Sequence, residues 1–220
     1  MRVNAQLQSN QARRVGLSAL IFIVIAADVR SSGLISSFDN TIREAVQPRD
    51  ASAASWLGVA SDLGELGVAA ALLAIVGAVA SQILWRLWPI VFAAAVFAVT
   101  EGLIYLTKTI VGRDGPGIWS DRTNYPGYYP SGHAATAAVC AGSVVFLAWL
   151  SRRGEHDVAR ATTLGSAVGL LVGVLAAVRS FLGDSHWFSD GVGGLLLAYC
   201  ILTVAFAAAP ATRESPPQTD

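Results

Sequence analysis

The chain is short of charge. Of its 220 residues only 14% are Asp, Glu, Lys or Arg, against 54% hydrophobic, whereas soluble domains carry about 25% charged residues. With a mean hydropathy of +0.54, an ordinary water-soluble fold is excluded. Acidic and basic residues balance at 15 each. No extended Lys/Arg run exists, so nucleic-acid binding lacks an electrostatic basis. Lysine is almost missing: Lys108 is the single one, and every other basic side chain apart from the 3 histidines is arginine. Cysteine is scarce too. Cys140 and Cys200 lie inside apolar runs and read as small buried hydrophobes rather than a disulfide or a metal pair. No cluster of Asp, Glu, Cys or His has metal-ligand spacing, so neither a metal nor another cofactor is expected.

What the chain does have is apolar length. Six segments approach the roughly 20 residues that a membrane span needs: 15–30, 64–84, 87–107, 134–150, 162–183 and 187–208. They are continuous rather than alternating, which favours helices over a closed barrel. The expected fold class is therefore all-α, a polytopic membrane protein with six transmembrane helices. One domain would cover residues 1–208, and 209–220 would be a disordered cytoplasmic tail. The first run, "VGLSALIFIVIAADV", follows Arg13-Arg14 as a signal peptide's would. No small-residue cleavage site with a polar mature sequence follows it, and it reads as a retained span.

Arginine placement orients the spans. Arg2, Arg13, Arg14, Arg86, Arg152, Arg153 and Arg160 fall on one side with both termini, and that side is expected to be cytoplasmic. The outer side holds the connections 31–60 and 108–132 and the junction 184–186. Within the first, "GLISSFDNTIREAVQ" has apolar residues at near-helical spacing and is expected to lie along the membrane surface.

The unusual chemistry is concentrated on that outer side, in three stretches. In "KTIVGRDGPG", Lys108 and Arg113 stand where a helix leaves lipid. Each alone could snorkel to the interface, but together they present positive charge. In "YPSGH", Pro130 suits a helix start, Ser131 suits its cap, and the free N–H groups behind them form an anion site. Gly132 would let a ligand approach the backbone. A plain helix start explains all three but leaves His133 unexplained. In "RSFLGDSHWFSD", His186 and Asp190 are spaced i, i+4, within hydrogen-bond reach on one helix face. A carboxylate behind a histidine orients the ring and makes the free nitrogen a better nucleophile or base. Arg179 adds a cation at the end of an apolar run.

Three cations, a helix N-terminus and two histidines suit phosphate transfer, which depends on positioning and on donors to the non-bridging oxygens. One histidine would attack phosphorus and the other would protonate the leaving alkoxide, with the cations in place of a metal.

These stretches, their order and the six spans resemble the type 2 phosphatidic acid phosphatase family. Those proteins are membrane-integral lipid phosphate phosphatases related to soluble acid phosphatases and vanadium haloperoxidases. The family pattern is Lys-x6-Arg-Pro, Pro-Ser-Gly-His and Ser-Arg-x5-His-x3-Asp. Here Pro-Ser-Gly-His matches at 130–133 and His-x3-Asp at 186–190. The resemblance implies that His186 is the nucleophile of a phosphohistidine intermediate and that Asp190 orients it. It implies that His133 is the general acid, and that Lys108, Ser131, Gly132 and Arg179 hold phosphate without a metal.

The chain departs from the pattern in three places. Gly115 stands where the arginine belongs, with Pro116 kept; Arg113, two residues earlier, is a candidate replacement at the phosphate. Val178 replaces the serine before Arg179. Six residues rather than five separate Arg179 from His186, and Gly183-Asp184-Ser185 is expected to loop out the surplus, since one extra helical residue turns a side chain by about 100°.

Other residues have simpler expected roles. Glu101, inside the third span, could pair with a polar group of the second, such as Asp62 or Glu65, or be protonated. His156 belongs to a charged, solvated loop. Trp56, Trp85, Trp88, Trp119, Trp149 and Trp187 fall near span ends, as an aromatic belt does. Gly191, Gly193 and Gly194 suit close helix packing.

The expected activity is hydrolysis of a lipid phosphate monoester or diphosphate, such as phosphatidate, phosphatidylglycerol phosphate or a polyprenyl diphosphate. Membrane lipid is the only other partner implied, and a bacterial plasma membrane with an outward-facing site suits the composition. A phosphotransferase using the same intermediate, and a catalytically impaired lipid-binding protein, are the alternatives.

Overall fold

A computed structural model describes residues 2–46, 57–117, 120 and 125–210, with side chains from Ser9 onward. The described residues form eight α-helices and no strand: α1 (Arg2–Arg30), α2 (Leu34–Val46), α3 (Gly58–Asp62), α4 (Leu66–Leu84), α5 (Trp88–Val111), α6 (Gly132–Arg153), α7 (Val158–Leu182) and α8 (Phe188–Ala208). A one-turn 3-10 helix, Glu155–Asp157, joins α6 to α7. The tail 211–220, Trp56 and Trp119 lie outside the described residues.

The chain is an all-helical integral membrane protein. Helices α4, α5, α6, α7 (with its 3-10 lead-in) and α8 are each long and apolar enough to cross a membrane. The first expected span differs. The helix continues N-terminal to the apolar run, back to Arg2, so it is long enough but carries a polar first half. The segment qualifies only together with α2, from which it is bent by 81°. At that bend Ser31 and Ser32 stop the helix, Ser32 taking φ 54°. Asp28 then accepts the Ile35 N–H at 2.8 Å and starts α2.

Helix α2 packs a mixed stripe against the protein. Ile35, Ser36, Asp39, Ile42 and Arg43 face the protein, and Asp39 is wholly buried. Leu34, 85% exposed, and Phe38, 55% exposed, point away. Exposed Leu34 and Phe38 beside exposed Ser37, Asn40 and Thr41 suit a helix lying along the membrane surface.

Helix α6 is the centre of the bundle, with its Ala134–Ser143 stretch buried throughout or nearly so. Its neighbour α7 approaches closely because Gly165, Gly169 and Gly173 recur every four residues. A Cβ at Gly169 would stand 2.5 Å from the Ala138 carbonyl oxygen. With no hydrophobic drive between helices in lipid, such backbone-to-backbone contact is a main source of association. Phe92, Phe146 and Phe206 stack to fill the other end of the core, with Phe146 and Phe206 centroids 4.3 Å apart.

At that end Trp88 donates to Glu155 at 2.8 Å, and Trp149 donates to Asp157 at 2.9 Å. Trp85 caps α4, so the described tryptophans do gather at helix ends. Exposed His156 belongs to the same polar rim. Glu101 departs from expectation. It accepts the Thr136 hydroxyl of α6 at 2.6 Å rather than meeting α4, because α5 and α6 face each other there and Glu65 is engaged elsewhere. Both cysteines are free, Cys140 buried and Cys200 half-buried.

Candidate active site

The opposite end collects the polar residues singled out from the sequence. Helix α7 stops at Leu182, and residues 183–187 turn the chain into α8. Asp184 takes φ 52° in this turn, and the Ser185 N–H returns to the Ser180 carbonyl at 3.0 Å. The residue surplus to the family spacing is thereby absorbed outside the helix.

His186 follows, only 6% exposed. Its Nδ1 lies 3.1 Å from Asp190 Oδ2. The same oxygen accepts the Trp187 N–H at 3.0 Å, and Oδ1 accepts Arg113 Nη1 at 2.6 Å. Asp190 acts only as an acceptor here, so Nδ1 carries the hydrogen and Nε2 keeps its lone pair. Burial pushes the His186 imidazole below its ordinary value. Asp190 pulls the other way by hydrogen bond and charge, and the positive charges of Lys108 and His133 push it further down. The sign for activity follows directly, because a lowered value keeps the ring neutral at neutral pH. The acid limb of kcat/KM is expected below pH 6.5, the unperturbed imidazole value. A pH-rate profile measures it.

Ser131 caps α6, its Oγ accepting the Ala134 N–H at 3.4 Å. Ser131 N–H donates to the Asp190 carbonyl at 2.9 Å, and the Ala135 N–H returns to the Ser131 carbonyl. The first-turn amides left without a helical acceptor are therefore those of Gly132 and His133, fewer than the four expected. Pro130 precedes the cap instead of occupying the first helical position.

His133 Nε2 lies 3.0 Å from Glu65 Oε1, with both side chains partly exposed. Gly64 makes this meeting possible. A Cβ there would stand 2.5 Å from the His133 carbonyl oxygen and 2.7 Å from its Cα, and backbone cannot step aside as a flexible side chain can. Gly64→Ala is expected to cost about 1–3 kcal/mol and to displace His133. The thermal midpoint and turnover should fall together.

The three cations singled out from the sequence have different surroundings. Lys108 is nearly buried and donates to the Tyr125 hydroxyl at 2.6 Å. Tyr125 packs on Tyr128, whose ring edge meets His186 with centroids 5.6 Å apart. Arg179, in the last turn of α7, folds against Gly183. Among the described residues neither Lys108 nor Arg179 forms an ion pair.

Arg113 is held quite differently. Besides Asp190, its Nη1 donates to Ser189 Oγ at 2.8 Å, and its Nη2 donates to Asp39 at 2.6 Å. Its guanidinium also lies over Trp187, 5.1 Å from the ring centroid. Both terminal nitrogens are thus taken by neighbouring side chains. In this structure Arg113 is tied to Asp39 of α2 and to Asp190.

Asp39, Ser189, Tyr125 and Tyr128 were not singled out from the sequence. Asp39 did carry a signal, since it falls on one stripe with Ile35 and Ile42, where a carboxylate is out of place. The glycines of α8 pack as expected. Gly194 backs onto the Ser131 carbonyl and Gly193 onto the Tyr129 ring. Among the described residues no group of three or more His, Cys, Asp and Glu side chains is arranged to hold a metal.

A helical membrane bundle carrying a buried histidine–aspartate pair, a second histidine and cations at one end defines a class of membrane phosphatases. Residues 86–214 match the model of the PAP2 superfamily, and the chain belongs to that superfamily. It is a membrane-integral phosphoric ester hydrolase. The fold is similar to that in a crystal structure described as the first transmembrane PAP2 type phosphatidylglycerolphosphate phosphatase from Bacillus subtilis. The TM-score is 0.72 at 18% identity, covering 87% of this chain and 94% of that one. No curated protein matches the sequence significantly.

Proposed function

We propose that the protein removes phosphate from a lipid phosphate monoester or diphosphate through a phosphohistidine formed on His186. One observation carries this reading. A buried histidine has one ring nitrogen held by a buried carboxylate, which leaves the other to react, and the charges of Lys108 and His133 reach the ring.

The lone pair of His186 Nε2 attacks phosphorus, and the bond from phosphorus to the leaving oxygen breaks. Protonated His133 gives its proton to that oxygen, with Glu65 as its counter-ion. Water then attacks phosphorus as His133 takes a proton from it. The bond from phosphorus to His186 Nε2 breaks with its electron pair returning to the ring, and inorganic phosphate leaves. Lys108, Arg179, the capped helix start at Ser131 and the Gly132 amide hold the non-bridging oxygens. Arg113 is assigned to Asp190 rather than to phosphate, so Lys108 and Arg179 carry the charge balance of the bound ester. No step draws on a metal.

The exposed apolar residues of α1 and α2 leave the lipid chain in the bilayer while the headgroup reaches the bundle end. Arginine placement favours a site on the outer face and both termini in the cytoplasm. Phosphatidylglycerol phosphate is the first substrate to try, given the named activity of the similar solved protein, followed by phosphatidate and a polyprenyl diphosphate. Purified full-length protein should release phosphate from at least one of these, unchanged by EDTA. Silence toward all of them would overturn the reading, and loss of activity with EDTA would overturn its metal-free chemistry.

A further inference from the structure

We propose that Asp39, outside all three catalytic stretches, is a positioning residue for the His186–Asp190 pair and acts through Arg113 and Ser189. The inference rests on the reading of His186 as nucleophile.

Asp39 sits in the middle of α2 with no exposure to solvent. A buried carboxylate is costly unless several donors satisfy it. Here Oδ1 accepts the Ser189 N–H at 2.9 Å, while Oδ2 accepts both the Ser189 hydroxyl and Arg113 Nη2. Every donor on Asp39 belongs to a residue that also touches Asp190 or adjoins it. Arg113 spans the two carboxylates with its two terminal nitrogens, each at 2.6 Å. Ser189 precedes Asp190 in the chain, and its hydroxyl also accepts from Arg113. The carboxylate that sets the tautomer of His186 is thus gripped by a guanidinium that Asp39 holds from behind.

A second contact fixes α2 in place. Arg43, one helical turn after Asp39, makes a two-pronged ion pair with Asp184, both distances 2.7 Å, on the near side of His186. Asp39 and Arg43 therefore clasp the junction 184–189 on both sides of the nucleophile. Simple packing of α2 needs no buried charge, and its other inward residues, Ile35 and Ile42, could supply it.

The electrostatic consequence separates positioning from packing. The charged groups that reach His186 are Asp190 on α8, Lys108 on α5 and His133 on α6, with Arg113 behind Asp190. Two carboxylates answer the charge of Arg113. Removing the one on Asp39 leaves Arg113 to draw more strongly on Asp190, which then supports an imidazolium less well. The acid limb of the pH profile should move to lower pH, an effect that lost packing does not produce.

The test compares wild type, Asp39→Asn, Asp39→Glu, Ser189→Ala and His186→Ala as full-length protein in detergent, using whichever lipid phosphate the wild type hydrolyses. Asp39→Asn is expected to lower kcat by roughly 10- to 100-fold, the range seen when partners behind a reactive ligand are lost. KM should change less than kcat, and the acid limb should shift down. Asp39→Glu should recover part of the rate, because charge is restored on a longer side chain. If Asp39→Asn does not fold, Ser189→Ala removes the shared hydroxyl without removing charge, and a smaller fall in kcat at unchanged KM is expected. Unchanged kcat in the folded variants, or kcat, KM and thermal midpoint worsening together with an unmoved acid limb, would overturn the proposal. Turnover retained by His186→Ala would instead overturn the nucleophile assignment, so the two failures are distinguishable.

Discussion

His186→Ala is expected to abolish phosphate release, with kcat lowered on the order of 10⁶-fold, the scale of loss when a hydrolase nucleophile is removed. No neighbour can take over the attack. His133 is turned toward Glu65, at 3.0 Å, and Lys108 contacts the Tyr125 hydroxyl and its ring. The variant should fold, because His186 stands in the turn between α7 and α8 rather than in the core clusters. It should also still bind inorganic phosphate as a competitive ligand, since Lys108, Arg179 and the α6 start remain. Labelling with a substrate carrying radioactive phosphate supplies a second measurement. Wild type quenched during turnover should carry an acid-labile, base-stable label that His186→Ala lacks. An equally labelled variant would move the nucleophile to another residue.

The second large effect is expected at His133. Loss of a general acid costs about 10²- to 10⁴-fold, and for His133→Ala the size should depend on the leaving group. An alkoxide released from a monoester needs a proton as the bond breaks. A phosphate released from a diphosphate is a much weaker base and needs less help. His133→Ala should therefore slow monoester lipids far more than a polyprenyl diphosphate. An equal loss on both substrates would remove the general-acid role and leave His133 as a phosphate contact.

Much of this molecule is legible along the chain. Continuous apolar runs with little charge leave the backbone no way to satisfy its hydrogen bonds in lipid except as helices, and five of the six expected spans appear as such. The remaining one lies on α1, which qualifies as a span together with α2 across an 81° bend, and that bend depends on Asp28 capping across a turn. Pro-Ser-Gly-His and His-x3-Asp are equally legible, because a cap and an i, i+4 pair are local geometry. The helix start needs only Ser131. The His186–Asp190 contact joins the turn before α8 to the first turn of that helix, rather than lying on one helix face as the spacing suggests.

Arg113, Asp39 and Glu65 belong to the other kind of fact. From the chain alone Arg113 reads as a cation near phosphate, since nothing nearby in sequence answers its charge. Its partners are 74 and 77 residues away, and folding brings them close enough to take both of its terminal nitrogens. Glu65 likewise reads as a partner for Glu101 until Gly64 lets α4 approach the start of α6. Local spacing selected the helices, the cap and the His186–Asp190 pair, because those interactions span only a few residues of chain. Bundle packing alone chose which carboxylate meets which cation, since an ion pair depends on where two side chains end up in space, and residues on different helices have no fixed separation until those helices pack.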